Sequence, residues 1–171
     1  MHRKDGPKTM IQPKISEVKK QFICSGFMIH VNMKNVYRNI NKVLNEYKAF
    51  CGKNQNPNMK RPWQYISLST NYDEKMEWDY FTGHVVSKYD NEPAGLMHFE
   101  IPKGDYAVFE IRVKHAFAFA FTMGRLKKYI YKNWLPDSGY VFSGYEFEYN
   151  DENMKKINPY NVDLYVGIKK K

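Results

Sequence analysis

"HAFAFAFTMGRLKKYIYKNWL", residues 115 to 135, decides how the chain folds, because it satisfies two periodicities at once. Its opening alternates Ala and Phe with the period of a strand, whereas Phe119, Met123, Leu126, Ile130 and Trp134 recur at the spacing of a helical face. The helical register spans more residues and alanine favours it, so the segment is predicted to be a helix ended by Pro136.

An earlier helix has a cleaner signature. Val36, Ile40, Val43, Leu44, Tyr47 and Phe50 lie on one helical face, and Gly52 stands where a left-handed cap would close it. Around the two helices the chain reads as strands. "KQFICSGFMIHVNM" (20–33) precedes the first, with Gly26 as a candidate bulge. "WQYISLST" (63–70) and "WDYFTGHVVS" (78–87) follow it, joined as a hairpin through "NYDEKME". In the second half, "MHFEIPKGDYAVFEIRV" (97–113) is extended but broken by a turn at Pro102 to Asp105. "YVFSGYEFEYN" (140–150) and "NVDLYVGIKK" (161–170) close the chain around a loop at Asn158-Pro159.

The order is strand, helix, strand, strand, written twice, with halves at about 11–92 and 93–171 of a single domain. Such units pair about a pseudo-twofold axis, which predicts an α+β fold: an antiparallel sheet, two long helices on one face, and a groove where the halves meet. Residues 1–10 are expected to be an unstructured or added leader, with Met10 as an alternative start.

Composition narrows the function. Aromatic residues make up 16% of the 171, enough for aromatic-lined surfaces as well as a core. The formal charge is +9, yet 22 of the 27 basic residues are Lys, and they are dispersed along the chain. That pattern suits a solvated surface better than a phosphate-reading stripe, which favours clustered Arg. Cys24 and Cys51 stand apart from any ligand-like spacing and read as reduced structural thiols, and the five histidines are scattered, so neither a metal nor another cofactor is expected. No apolar run is long enough to span a membrane or serve as a secretion signal, and a cytoplasmic location is expected. With one long helix per half there is no helix-turn-helix, so direct specific DNA binding is not expected.

"YEFEYND" (145–151) poses the functional question. On a strand, Tyr145, Phe147 and Tyr149 share one face and Glu146 and Glu148 the other. Either the second face meets water or a charge sits in a cleft.

Several stretches together resemble the gyrase-inhibitor-like family, the effector-binding domains found behind AraC-type and multidrug-responsive transcription regulators and also as free-standing proteins. They are "EIPKGDYAVFE" (100–110), "YIYKNWLPDSGY" (129–140), "YEFEYND", "VDLYVGIK" (162–169) and, less specifically, "WDYFTGHVV" (78–86). W-L-P-D-S-G-Y is the strongest signal, and the likeness covers about residues 11 to 170. The resemblance implies a hydrophobic pocket with one buried glutamate that faces cationic aromatic ligands; without gaps this falls on Glu148, leaving Glu146 at the surface. It implies walls from Tyr47, Tyr65, Phe119, Trp134 and Tyr165. The family often has Tyr where this chain has Asn150, which implies a more polar or open edge.

The chemistry is coherent. An apolar cleft disfavours an ionised carboxylate, a delocalised cation compensates it, and aromatic faces add about 0.5–2 kcal/mol each. A free-standing small-molecule binder that senses or sequesters amphipathic cations is the leading reading. Two others stay open: a protein that engages a topoisomerase or regulator, and a hydrolase of reactive cyclopropane-containing toxins with Glu148 as general base.

Overall fold

The structure, a computed structural model, describes residues 12–171; the expected leader at 1–10 lies outside the described residues. Eight strands form one antiparallel sheet: β1 (Lys14–Val18), β2 (Phe22–Asn32), β3 (Gln64–Thr70), β4 (Glu77–Val86), β5 (Met97–Ile101), β6 (Gly104–Ile111), β7 (Tyr140–Asp151) and β8 (Val162–Lys170). Their spatial order is β1-β6-β8-β7-β3-β4-β2-β5. Helix α1 (Val36–Lys53) belongs to the first half. Helix α2 (Ala116–Tyr129), a π-helical turn (Ile130–Trp134) and α3 (Leu135–Asp137) belong to the second, and α4 (Glu152–Ile157) joins β7 to β8.

The twofold reading holds. The triplets β6-β8-β7 and β3-β4-β2 meet where β7 pairs antiparallel with β3, Phe147 opposite Leu68 and Glu148 opposite Ser67. The flanking strands are what the pattern did not show. β1 was not anticipated, and it pairs with β6 of the other half; β5 pairs back with β2. The turn at Pro102 to Asp105 therefore joins strands from opposite ends of the order, and Gly104 and Asp105 already belong to β6.

Alternation sorts the core into two layers. On one face Cys24, Ile66, Leu68, Phe81, Ile101, Tyr106 and Phe147 pack together, drawing on strands from both ends of the sheet. On the other face α1 covers Val31, Trp78 and Tyr80 with Val43, and α2 covers Ala107, Phe109, Leu164 and Val166 with Met123, Leu126 and Ile130. Met123, Leu126 and Ile130 are the predicted helical stripe. Phe117 and Phe121, the other two aromatics of the alternating stretch, point to solvent at 83% and 59% exposure. Burying every second residue would have needed a strand; burying every third or fourth selects the helix.

Three local expectations are corrected. Gly52 is helical, and α1 ends instead at Asn54, whose extended backbone leaves the helix. The helical backbone continues through Pro136, which stands where the π turn passes into α3, and ends at Ser138, whose backbone is extended. Gly26 is not a bulge: it pairs in unbroken register with Gly83. A methyl at Gly26 would fall on the Thr82 carbonyl and 2.6 Å from the Gly83 Cα, so glycine is required by close approach of the two backbones. Gly26→Ala is accordingly expected to lower stability by at least about 2 kcal/mol, read as a fall in the urea midpoint at unchanged m-value.

Candidate functional site

The helices leave the middle of their sheet face to polar residues. α1 packs on β2 and β4, and α2 on β6, so the central pair β3 and β7 lies between them. Three cross-strand rows form the floor of this groove. His84, Tyr65 and Asn150 make the first, Thr82, Ser67 and Glu148 the second, and Tyr80, Ser69 and Glu146 the third.

An aromatic cluster walls the first row. Tyr47 of α1 is buried, and its ring lies 6.2 Å from Tyr65, which in turn stands edge-on to His84 at 5.0 Å; Trp63 stands edge-on to the same imidazole at 6.1 Å. The Tyr47 oxygen is 2.7 Å from His84 Nδ1 and 3.3 Å from the Ser25 carbonyl. Both bonds are made when Nδ1–H donates to Tyr47 and Tyr47 donates to Ser25. Tyr65 is hydrogen-bonded to Thr82. Burial, helped by Arg61, pulls the His84 pKa down to about 4, so the imidazole is neutral at physiological pH. The imidazole therefore adds no positive charge to this wall.

The two glutamates differ sharply. Glu146, expected at the surface, is 3% exposed. Lys127 Nζ donates to its Oε1 at 2.6 Å and Tyr131 donates to its Oε2. Lys127 and Tyr131 stand four residues apart, where α2 passes into its π turn, and reach the same carboxylate from one side of the helix. That ion pair holds the Lys127 pKa well above the usual lysine range against the cost of burial. Glu148 is half-buried and has no hydrogen-bond or ion-pair partner among the described residues. Desolvation raises its pKa; Lys127 and Lys155 oppose the rise at a distance, and Glu146 adds to it.

Of the residues expected to form the site, Glu148, Tyr47 and Tyr65 share this face. The others are placed elsewhere. Tyr165 projects from the opposite side of the sheet, stacked on Phe147 at 4.7 Å, because β8 presents Leu164 and Val166 to the helices. Trp134 packs edge-on to Phe109 and parallel to Tyr140, anchoring the end of the helical segment, and Phe119 packs into the core beneath α2. Asn150 does not open the edge of the groove; it is buried opposite Tyr65.

Sequence reasoning missed His84, Lys127 and Tyr131. The available signal for the last two was their i, i+4 spacing beside the buried stripe of α2, which places both on one flank of the helix. Cys24 is buried with its pKa pushed up to about 12, which makes it an inert core thiol. Among the described residues no group of three or more His, Cys, Asp or Glu is placed to hold a metal ion, and no helix is long and apolar enough to cross a membrane.

Comparison with known proteins places this two-unit α+β domain among effector-binding proteins. The model of the integron-associated effector-binding protein family matches residues 15–168, and the chain belongs to that family. Its fold is similar to that of an integron cassette protein from Vibrio cholerae (14% identity, TM-score 0.65, covering 92% of this chain and 96% of that one). It is also similar to SAV2435, solved bound to tetraphenylphosphonium (13% identity, TM-score 0.63, 92% and 94% covered). The C-terminal domain of EcmrR is a third relative in fold (13% identity, TM-score 0.62, 95% and 99% covered). In the EcmrR–DNA complex this chain covers 58% of the regulator's length. No curated protein matches the chain.

Proposed function

We propose that this protein binds flat, lipophilic organic cations in the groove between α1 and α2, with Glu148 as the counter-charge and Tyr47 and Tyr65 as aromatic walls. The observation that carries the reading is the unpartnered Glu148 carboxylate beside a fully partnered Glu146. A half-buried carboxylate without a donor is costly, and a ligand cation recovers that cost on binding. Neutral His84 and the surrounding rings favour a delocalised charge over a compact hydrated one. The tetraphenylphosphonium complex of SAV2435 supports the single positive charge and the lipophilic aromatic character of the ligand, although that cation is tetrahedral and not flat. Both long helices are committed to covering the sheet; a role in transcription therefore requires DNA contacts from another chain or segment.

The test is calorimetric titration at pH 8 with N-methyl-4-(p-tolyl)pyridinium and with neutral 4-(p-tolyl)pyridine. Saturable binding of the cation, at least about tenfold tighter than the neutral ring system, is expected. Equal affinities, or no binding of either, would reject the reading. The affinity for the permanent cation should fall on acidification, first as Glu148 protonates through its raised pKa and again toward about pH 4 as His84 gains a charge.

A further inference from the structure

We propose that Lys127 sets the charge number of the ligand: by neutralising Glu146 it leaves the groove one free carboxylate, so the site selects monocations over dications of the same shape. The proposal rests on the cation-binding reading above and goes further, because two carboxylates on adjacent rows would by themselves suit a dication. Glu146 and Glu148 alternate along β7 on one face, opposite Ser69 and Ser67. Neither serine can supply a charge, so the net charge of the floor depends on what reaches it from the helices.

Lys127 is the basic group that makes an ion pair there. Its Nζ contacts Glu146 at 2.6 Å, and Tyr131 takes the other oxygen, which leaves Glu146 with a partner on each oxygen. Tyr72, the other titratable group close to this pair, is a phenol whose pKa burial pushes upward, so it is neutral. Lys155 acts on Glu148 only at a distance, and its ammonium donates to the Pro159 carbonyl. The counting is therefore two carboxylates against one ammonium bound in the groove. A second ligand charge would find no carboxylate and would lose its hydration without return.

An isosteric pair of probes reads this directly: N-methyl-4-(p-tolyl)pyridinium, with one charge, and N,N′-dimethyl-4,4′-bipyridinium, with two, titrated at pH 8. The wild type is expected to prefer the monocation by roughly tenfold or more. Lys127→Met frees Glu146 and is expected to erase or invert that preference, and the double variant K127M/E146Q, which removes both partners, to restore it. A folded K127M protein with the wild-type preference would overturn the proposal. Glu146→Gln keeps the test alive if K127M does not fold. It releases Lys127 toward Glu148, so monocation affinity should fall about tenfold although Glu146 itself is not assigned to the ligand; unchanged affinity would again overturn it. If the wild type binds neither probe, the cation-binding reading fails first, whereas binding of both with equal affinity rejects only the role of Lys127.

Discussion

Glu148→Gln is expected to weaken binding of N-methyl-4-(p-tolyl)pyridinium by roughly 30-fold, about 2 kcal/mol, while making the unliganded protein more stable near neutral pH. Both effects have one cause. The folded protein raises the Glu148 pKa by desolvation, so between the ordinary carboxylate pKa and the raised one the native state holds a proton that the unfolded chain has lost. Stability therefore falls as pH rises through that window, and the cost persists above it. An amide removes the cost and with it the counter-charge. Thermal melts of the two proteins at pH 4 and pH 8 should show the variant's advantage at pH 8 and little of it at pH 4. A variant that binds the cation as well as the wild type, with no gain in stability, would place the carboxylate in open solvent.

One residue earlier on β7 the consequences reverse. Phe147 is stacked on Tyr165 at 4.7 Å and stands edge-on to Tyr106 at 5.4 Å and Phe22 at 6.1 Å, on the face away from the groove. Its neighbours belong to β2, β6 and β8, so truncation leaves a cavity that no single side chain can relax into. Phe147→Ala is expected to cost about 3–5 kcal/mol, a fall in melting temperature on the order of 10 °C. In the fraction that remains folded, cation affinity and the preference for one charge should be unchanged. If ligand selectivity followed Phe147, the two faces of β7 would not be the separate layers that the core packing describes.

The sensitivity of adjacent residues to opposite tests reflects what a strand encodes. Alternation in "YEFEYND" separated the aromatic from the acidic face, and nothing more local than that was available. Which face met solvent depended on the two helices. α1 and α2 cover the acidic face from either side, so Glu146 is buried where an isolated strand would have left it in water. The same limit explains Tyr165, Trp134 and Phe119. Each is a large aromatic in an apolar run, and apolar runs do not state which layer they join. Tyr165 joined the far layer because its register opposite Phe147 is fixed by pairing with β7. The crossing of β1 to β6 and of β5 to β2 was equally illegible, since strand pairing over 71 to 94 residues leaves no trace in local periodicity.

What the sequence determined by itself was the order of elements, the helical identity of 116–129 despite its alternating start, and the twofold repetition. These follow from propensity and from hydrophobic period, which act over one or two turns. What only the tertiary structure decided was charge state and partnership: that Lys127 and Tyr131 satisfy Glu146, that Glu148 is left without a donor among the described residues, and that His84 is neutral. Those properties are set by which side chains are brought within about 3 Å of one another and removed from water together, and neither distance nor burial is a property of neighbouring positions in a chain.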